Sequence, residues 1–271
     1  MEKFYEWYFL ETGRTGDALF SWQHLLSVTA TLLVFLGLAV LLGKKYKDND
    51  KAQRIILLIA GIGIVANQLF KIIYLAITST DTVWNVIVGN APLYLCDMAI
   101  FIIPLCALTR GRFREWCLDY VAIWGFIMAF FGTYLAGNVY PAHPAISHSA
   151  INSLLEHAFS GFASLFILVV GLNKMEKRNI PFVIGILLVF MTTALVLDYV
   201  DNHNFMFFFS GDGTPFTLFD EYLSFGLKPI YQLWIYILQC GYMVGFYYGY
   251  YGIRALIKKW SNNNKTEEKA A

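Results

Sequence analysis

Charge is what this chain has least of. Lys, Arg, Asp and Glu make up 14% of its 271 residues, where an ordinary soluble domain carries about 25%, and 58% of the residues are hydrophobic. So little charge cannot cover a water-facing surface, which excludes a soluble globular domain. The net charge is +1, and no basic patch marks a nucleic-acid partner. Cysteine is scarce too. Cys96, Cys106, Cys117 and Cys240 all lie in or beside apolar runs, so neither a disulfide framework nor a conventionally spaced zinc site is expected. The chain has no glycine-rich phosphate loop, HExxH, GxSxG or CxxC. His143, His148 and His157 form no tight ligand pattern with carboxylates, and no metal or cofactor is expected from the spacing; a zinc site built from distant helices stays open. The first 21 residues are acidic and aromatic, without the basic start and short apolar core of a cleavable signal. Their Trp and Tyr suit a segment lying at a membrane interface.

What the chain does have is long apolar runs. About 20 such residues cross the roughly 30 Å of a bilayer core. Seven stretches qualify: about Trp22–Gly43, Ile55–Thr78, Ala91–Thr109, Trp116–Gly137, Ile151–Leu172, Ile180–Val200 and Pro229–Ile257. The loops between them alternate in charge. Lys44–Arg54 holds five Lys or Arg, Arg110–Glu115 three and Asn173–Asn179 three, and Lys258 and Lys259 follow the last span. The intervening loops Ser79–Asn90 and Asn138–Ser149 hold none, and Asp201–Lys228 holds one. The positive-inside rule places the basic loops in the cytoplasm. The expected fold is therefore an all-α polytopic membrane protein with seven transmembrane helices, N-terminus outside and C-terminus cytoplasmic. Residues 1–260 form one transmembrane domain, and 261–271 form a disordered cytoplasmic tail. The loop Asp201–Lys228, with its FMFFF run, is the segment whose path the pattern leaves open.

Within these spans lie polar groups that a bilayer disfavours by roughly 2.5–3.5 kcal/mol each. On Ile151–Leu172, residues Asn152, Ser153, Glu156, His157, Ser160 and Ser164 recur at helical spacings and form one polar stripe. At 1.5 Å per residue, Lys71, Asp97, Glu156 and His157 each lie roughly 8–10 Å inside the outer end of their span. His24, Asp198, Tyr231 and Gln232 sit near outer ends as well. This shared depth predicts one polar pocket open to the extracytoplasmic side. Its expected members are His24, Asn67, Gln68, Lys71, Tyr94, Asp97, Asn152, Asp198, Asn202, Asn204 and Gln232, with His157 and Glu156 as catalytic candidates. Lys71 and Asp97, on consecutive spans at one depth, are expected to pair or share a network. Ser160 and Ser164 are read as small-polar helix packing, and Asp119 as a cytoplasmic-rim charge solvated by Arg112 and Arg114. Cys96, next to Asp97 on an assumed helix, is expected to point elsewhere.

Three stretches carry a family resemblance: APLYLCDMAIFIIPL, NVYPAHPAISHSAINSLLEHAFSGFASLFIL and DNHNFMFFFSGDGTP. The first resembles the third span of the YwaF-like family of bacterial integral membrane proteins, usually written with a Pro-Leu-His-Leu-Cys core. The second resembles that family's Tyr-Pro loop followed by a span bearing one histidine, here His157. The third resembles its Asn-x-Asn-aromatic-Met loop, here Asn202, Asn204, Phe205, Met206 and Pro215. The resemblance covers most of the chain and implies a multi-pass protein of the bacterial plasma membrane. The family is distantly similar to a vertebrate transmembrane acyltransferase family that handles phospholipid acyl chains through a Pro-Cys-His motif. Here the matching positions are Pro92, Leu93 and Tyr94, without that cysteine and histidine, and His157 is the reactive residue that carries over.

Three functions stay open on this reading. One is a lipid acyl-chain-handling enzyme, acyltransferase-like or hydrolase-like, with His157 as general base oriented by Glu156 or Asp97, and with Lys71, Asn202 and Asn204 binding an anion or oxyanion. The others are a transporter of small cations or solutes and a non-catalytic membrane binding protein. The expected partners are membrane lipids or a small solute.

Overall fold

The computed structural model describes residues 2–11, 13–212 and 214–270, leaving aside the side chains of residues 2, 215, 257, 258 and 261–270. The helices are α1 (Glu2–Tyr8), α2 (Trp22–Lys45), α3 (Asp50–Thr78), α4 (Val83–Gly89), α5 (Met98–Leu108), α6 (Gly111–Tyr134), α7 (His148–Val170), α8 (Ile180–Asp201), α9 (Glu221–Ser224) and α10 (Lys228–Ala270). Among the described residues there are no strands. Five helices are long and apolar enough to cross a bilayer: α2, α3, α6, α7 and the Lys177–Asp201 stretch that contains α8.

The run expected as one span over Ala91–Thr109 is not one helix. Residues 90–97 turn without forming a helix, and α5 begins only at Met98 and lasts 11 residues. At 1.5 Å per residue this is roughly 16 Å, about half a bilayer core. Pro92 contributes to the break, because it has no N–H to donate and disfavours helix at Ala91. The long C-terminal helix has a backbone helical to Ala270. Its side chains from 261 on lie outside the described residues, and with them the expectation of a disordered tail.

The helix ends follow from local chemistry. Ser147 accepts from the Ala150 N–H at the start of α7, and Gly171, at φ 81°, ends it in the left-handed conformation that glycine adopts without strain. Asn49 caps α3 through Ala52 N–H at 3.0 Å, and Thr82 caps α4 through Asn85 N–H at 3.2 Å.

α6 and α7 are the centre of the bundle. Two-thirds of each apolar window is buried, against 17% in α2, so α2, α3 and α8 present Leu33, Ile59, Ile77 and Val189 outward to lipid. Without a hydrophobic drive between helices in lipid, close backbone approach and hydrogen bonds hold them together. A Cβ on Gly125 would stand 2.4 Å from the Ser160 carbonyl oxygen, and Ser164 Oγ donates to Ala122 O at 2.7 Å. Ser160 and Ser164 therefore serve helix packing, as their size suggests. α3 closes on α5 where Gly61 faces Pro104. Asn67 and Asn152 clamp α3 to α7, each amide donating to the other's carbonyl, at 2.9 and 3.0 Å.

Two features position the rest. Asp119 is wholly buried, and it is solvated by backbone N–H groups rather than by Arg112 and Arg114. Its carboxylate accepts from Lys174 N and Met175 N, both at 3.0 Å, from Asn179 Nδ2 at 2.8 Å and from Tyr247 OH at 3.2 Å. One side chain thus ties α6, the loop after α7 and α10 together. At the other end the FMFFF run turns into the helical body, with Phe205, Met206 and Phe208 fully buried. The carbonyl of Phe207 accepts from Tyr231 OH at 2.8 Å.

Candidate functional site

A cavity of about 730 Å³ opens among α3, the 90–97 turn, α6, α7, the FMFFF segment and α10. One part of its wall is polar: Lys71, Cys96, Asp97, Asn152, Ser153, Glu156 and His157. The rest is apolar and aromatic, including Trp124, Met128, Phe131, Phe207, Tyr242 and Phe246. Along α6 and just past its end the lining runs from Trp124 to Leu135 and Ala136. The eleven residue steps from 124 to 135 span roughly 16 Å.

His157 is held in one tautomer. Its Nδ1 lies 2.7 Å from the carbonyl oxygen of Ser153, and a carbonyl only accepts, so Nδ1 carries the proton. Nε2 is then the free basic nitrogen. It lies against Gly132, where a Cβ would come within 2.2 Å of it. The ring is thus oriented by backbone, not by Glu156 or Asp97 as the sequence predicts.

The carboxyls of Asp97 and Glu156 belong to a separate cluster on the same wall. One oxygen from each and Cys96 Sγ all lie within 4.8 Å of one another, a grouping able to hold a metal ion. Cys96 Sγ donates to Asp97 Oδ1 at 3.6 Å, and the Tyr94 N–H donates to Asp97 Oδ2 at 3.3 Å. Consecutive side chains diverge on a helix, but Cys96 and Asp97 sit in the turn before α5, so both face the cavity. Lys71 lines the cavity without the expected partner: among the described residues it makes no ion pair within 4.0 Å. Tyr94 also lines it, its ring edge-on to Phe205.

Several expected pocket residues lie elsewhere. His24 spends both nitrogens on structure, with Nδ1 accepting from Phe20 N at 2.9 Å and Nε2 donating to Thr133 O at 3.0 Å. Asn67 contributes only the clamp to Asn152. Gln68 donates to Asn90 O at 2.8 Å and holds the entry to the 90–97 turn. Asp198 accepts from Phe205 N at 2.6 Å and anchors the FMFFF segment. Asn202 is the left-handed cap of α8, at φ 55°. Asn204 folds its own loop, donating to Ser210 O and accepting from Phe209 N, so neither asparagine reaches an oxyanion in the cavity. Gln232 exchanges hydrogen bonds with Tyr199 across α8 and α10.

Other residues join the site without a sequence signal. His148, the first residue of α7, lines the cavity with its ring packed on Phe9, Phe70 and Tyr74. The N-terminal segment straps the same end of the bundle. Glu11 pairs with His143 at 2.9 Å, Asp17 accepts from Ala145 N at 2.7 Å, and Arg14 donates to Ile146 O at 2.8 Å.

The model of the TMEM164 family matches residues 19–250. The chain belongs to the TMEM164 family. That match spans α2 to α10 and every residue of the cavity wall named above, and it makes the chain a multi-pass membrane protein. No curated protein and no solved structure matches it. Within this TMEM164 family chain α3, through Lys71, the 90–97 turn and α7 supply the polar wall, and α6 and α10 supply most of the apolar one.

Proposed function

We propose that this protein is a membrane-embedded enzyme acting on lipid acyl esters, with His157 as its general base. The acyl chain lies along α6 against Trp124, Met128, Phe131, Tyr242 and Phe246, and its ester reaches the polar wall. The observation that carries this reading is the orientation of His157. Its Nδ1 proton is committed to Ser153 O, which leaves Nε2 as the basic nitrogen of a cavity-lining side chain, suited to take a proton from a hydroxyl or water as that oxygen attacks the ester carbonyl. Lys71, on the same wall, is the group suited to an anionic headgroup or a developing oxyanion. The volume falls in the range of pockets that enclose a small organic ligand, and its mostly apolar lining suits a lipid tail.

A solute conduit is the weaker reading. It would need polar lining through the inner half, where α6 and α7 meet directly through Gly125, Ser160 and Ser164. The loop charges support seven spans with the cavity toward the extracytoplasmic side, and the YwaF-like resemblance supports a bacterial plasma membrane. The test is acyl release or transfer from labelled phospholipid in proteoliposomes. His157→Gln lowers turnover roughly 10²–10⁴-fold, the share a general base contributes. Unchanged turnover in a correctly folded His157→Gln protein would sink the reading.

A further inference from the structure

We infer that Cys96, Asp97 and Glu156 form a binding site for a divalent transition-metal ion of the zinc class, with an open coordination position facing the cavity. The three ligand atoms lie within 4.8 Å of one another. In a tetrahedral zinc site, with Zn–S of about 2.3 Å and Zn–O of about 2.0–2.2 Å, a sulfur and an oxygen ligand stand about 3.6 Å apart. Cys96 Sγ and Asp97 Oδ1 are 3.6 Å apart.

An acidic cluster alone would not carry this, and a second observation does. Glu156 is only 5% exposed, and among the described residues its Oε1 has no hydrogen-bond partner. A buried carboxylate oxygen with no partner is disfavoured unless something binds it. Asp97, 7% exposed, accepts one backbone N–H and the weak thiol donor among the described residues, and its carboxyl neighbours that of Glu156. Both carboxyls therefore keep lone pairs directed at the same small space.

The donor set selects the ion. A thiolate with two carboxylates is too soft for magnesium or calcium and suits zinc. Three protein ligands leave the fourth position open, the pattern of a catalytic rather than a structural zinc. Charge balances as well. Three anionic ligands and a divalent cation sum to −1, and Lys71 on the same wall returns the site to zero, which a low-dielectric surrounding favours. Binding displaces the Cys96 thiol proton and any proton shared by the carboxyls. The same site explains why Cys96 is badly placed as a nucleophile on its own: reactive thiolates have cationic neighbours, and this one has two carboxyls.

The inference shares a cavity with the proposed enzyme but does not rest on it. The full chain, purified in detergent, is dialysed against zinc and assayed by mass spectrometry for metal, then reloaded with cobalt for absorption spectroscopy. A single three-ligand site gives about one zinc per chain and a thiolate-to-cobalt charge-transfer band. Cys96→Ser abolishes the band. Glu156→Gln weakens zinc binding by at least the roughly 10–100-fold that losing even an outer-shell partner costs. Should Cys96→Ser fail to fold, the wild-type cobalt band still decides. Wild-type protein that is monodisperse yet holds no zinc and shows no thiolate–cobalt band overturns the site, and so does zinc retained equally by Glu156→Gln. Zinc binding without acyl release would leave the site standing and remove the enzyme.

Discussion

Gly132→Ala is the sharpest perturbation of the proposed base, because it touches His157 without altering it. A Cβ on residue 132 would stand 2.2 Å from His157 Nε2 and 2.3 Å from Cδ2. Ordinary van der Waals contact begins at 3.4 Å. The ring must therefore retreat by 3.4 − 2.2 = 1.2 Å, or α6 and α7 must part. Retreat by ring rotation breaks the Nδ1–H bond to Ser153 O, a loss of about 0.5–1.5 kcal/mol, and overpacking adds about 1–3 kcal/mol. For turnover the displacement matters more, since misplacing a reacting group by 1 Å costs on the order of 10²-fold. The expected result is a roughly 100-fold fall in acyl release with a modest loss of thermal stability in detergent. Gly125→Ala is the control. Its Cβ would stand 2.4 Å from Ser160 O on the same pair of helices, without touching His157. It should lower stability comparably and turnover far less. If the two variants lose activity in proportion to their lost stability, the base assignment is refuted.

Three further outcomes follow from the packing. In a double-mutant cycle on Asn67→Ala and Asn152→Ala, measured by unfolding in detergent, the reciprocal clamp should give a coupling of about 0.5–3 kcal/mol; additivity would mean the two amides act independently. Asp119→Ala strands two backbone N–H groups, Asn179 and Tyr247. At about 1.5–3 kcal/mol for a hydrogen bond to a charged group, it should be among the most destabilising single changes, read as lost monodisperse yield. Tyr140, in the loop before α7, is buried against His24, and that burial raises its phenol to about 12. Because the folded value lies above the ordinary 10.0, this contribution is intact below pH 10 and fades as pH rises through about 12. Tyr140→Phe should flatten that alkaline loss in a pH series of melting curves, and an unchanged slope would contradict it.

Apolar run length made most of the bundle legible, because α2, α3, α6, α7 and α8 each satisfy the same length requirement. The same measure failed at residues 90–97. Hydropathy sums APLYLCDMAIF as one apolar block and does not register that Pro92 and the following turn interrupt the helix there. Part of the candidate site was legible too: Lys71, Asp97, Glu156 and His157, which the sequence sets at one depth, line one cavity. Depth, however, is a coordinate along the membrane normal and carries no angle around the bundle. With helix axes about 8–10 Å apart, two residues at one depth can lie two helix spacings from each other. His24, Asp198 and Gln232 share the depth and turn to other neighbours. Angle was recoverable only within a single helix, which is why the stripe on α7 sorted correctly into cavity wall and packing face. Angle also explains the misreading of Cys96. On a helix, 100° separates it from Asp97, and the pair cannot serve one site. In the turn that replaces the helix, both reach the oxygen of Glu156. The broken span is therefore a condition for the metal site: a variant that restored a regular helix through 91–97 would keep every ligand and lose the ion.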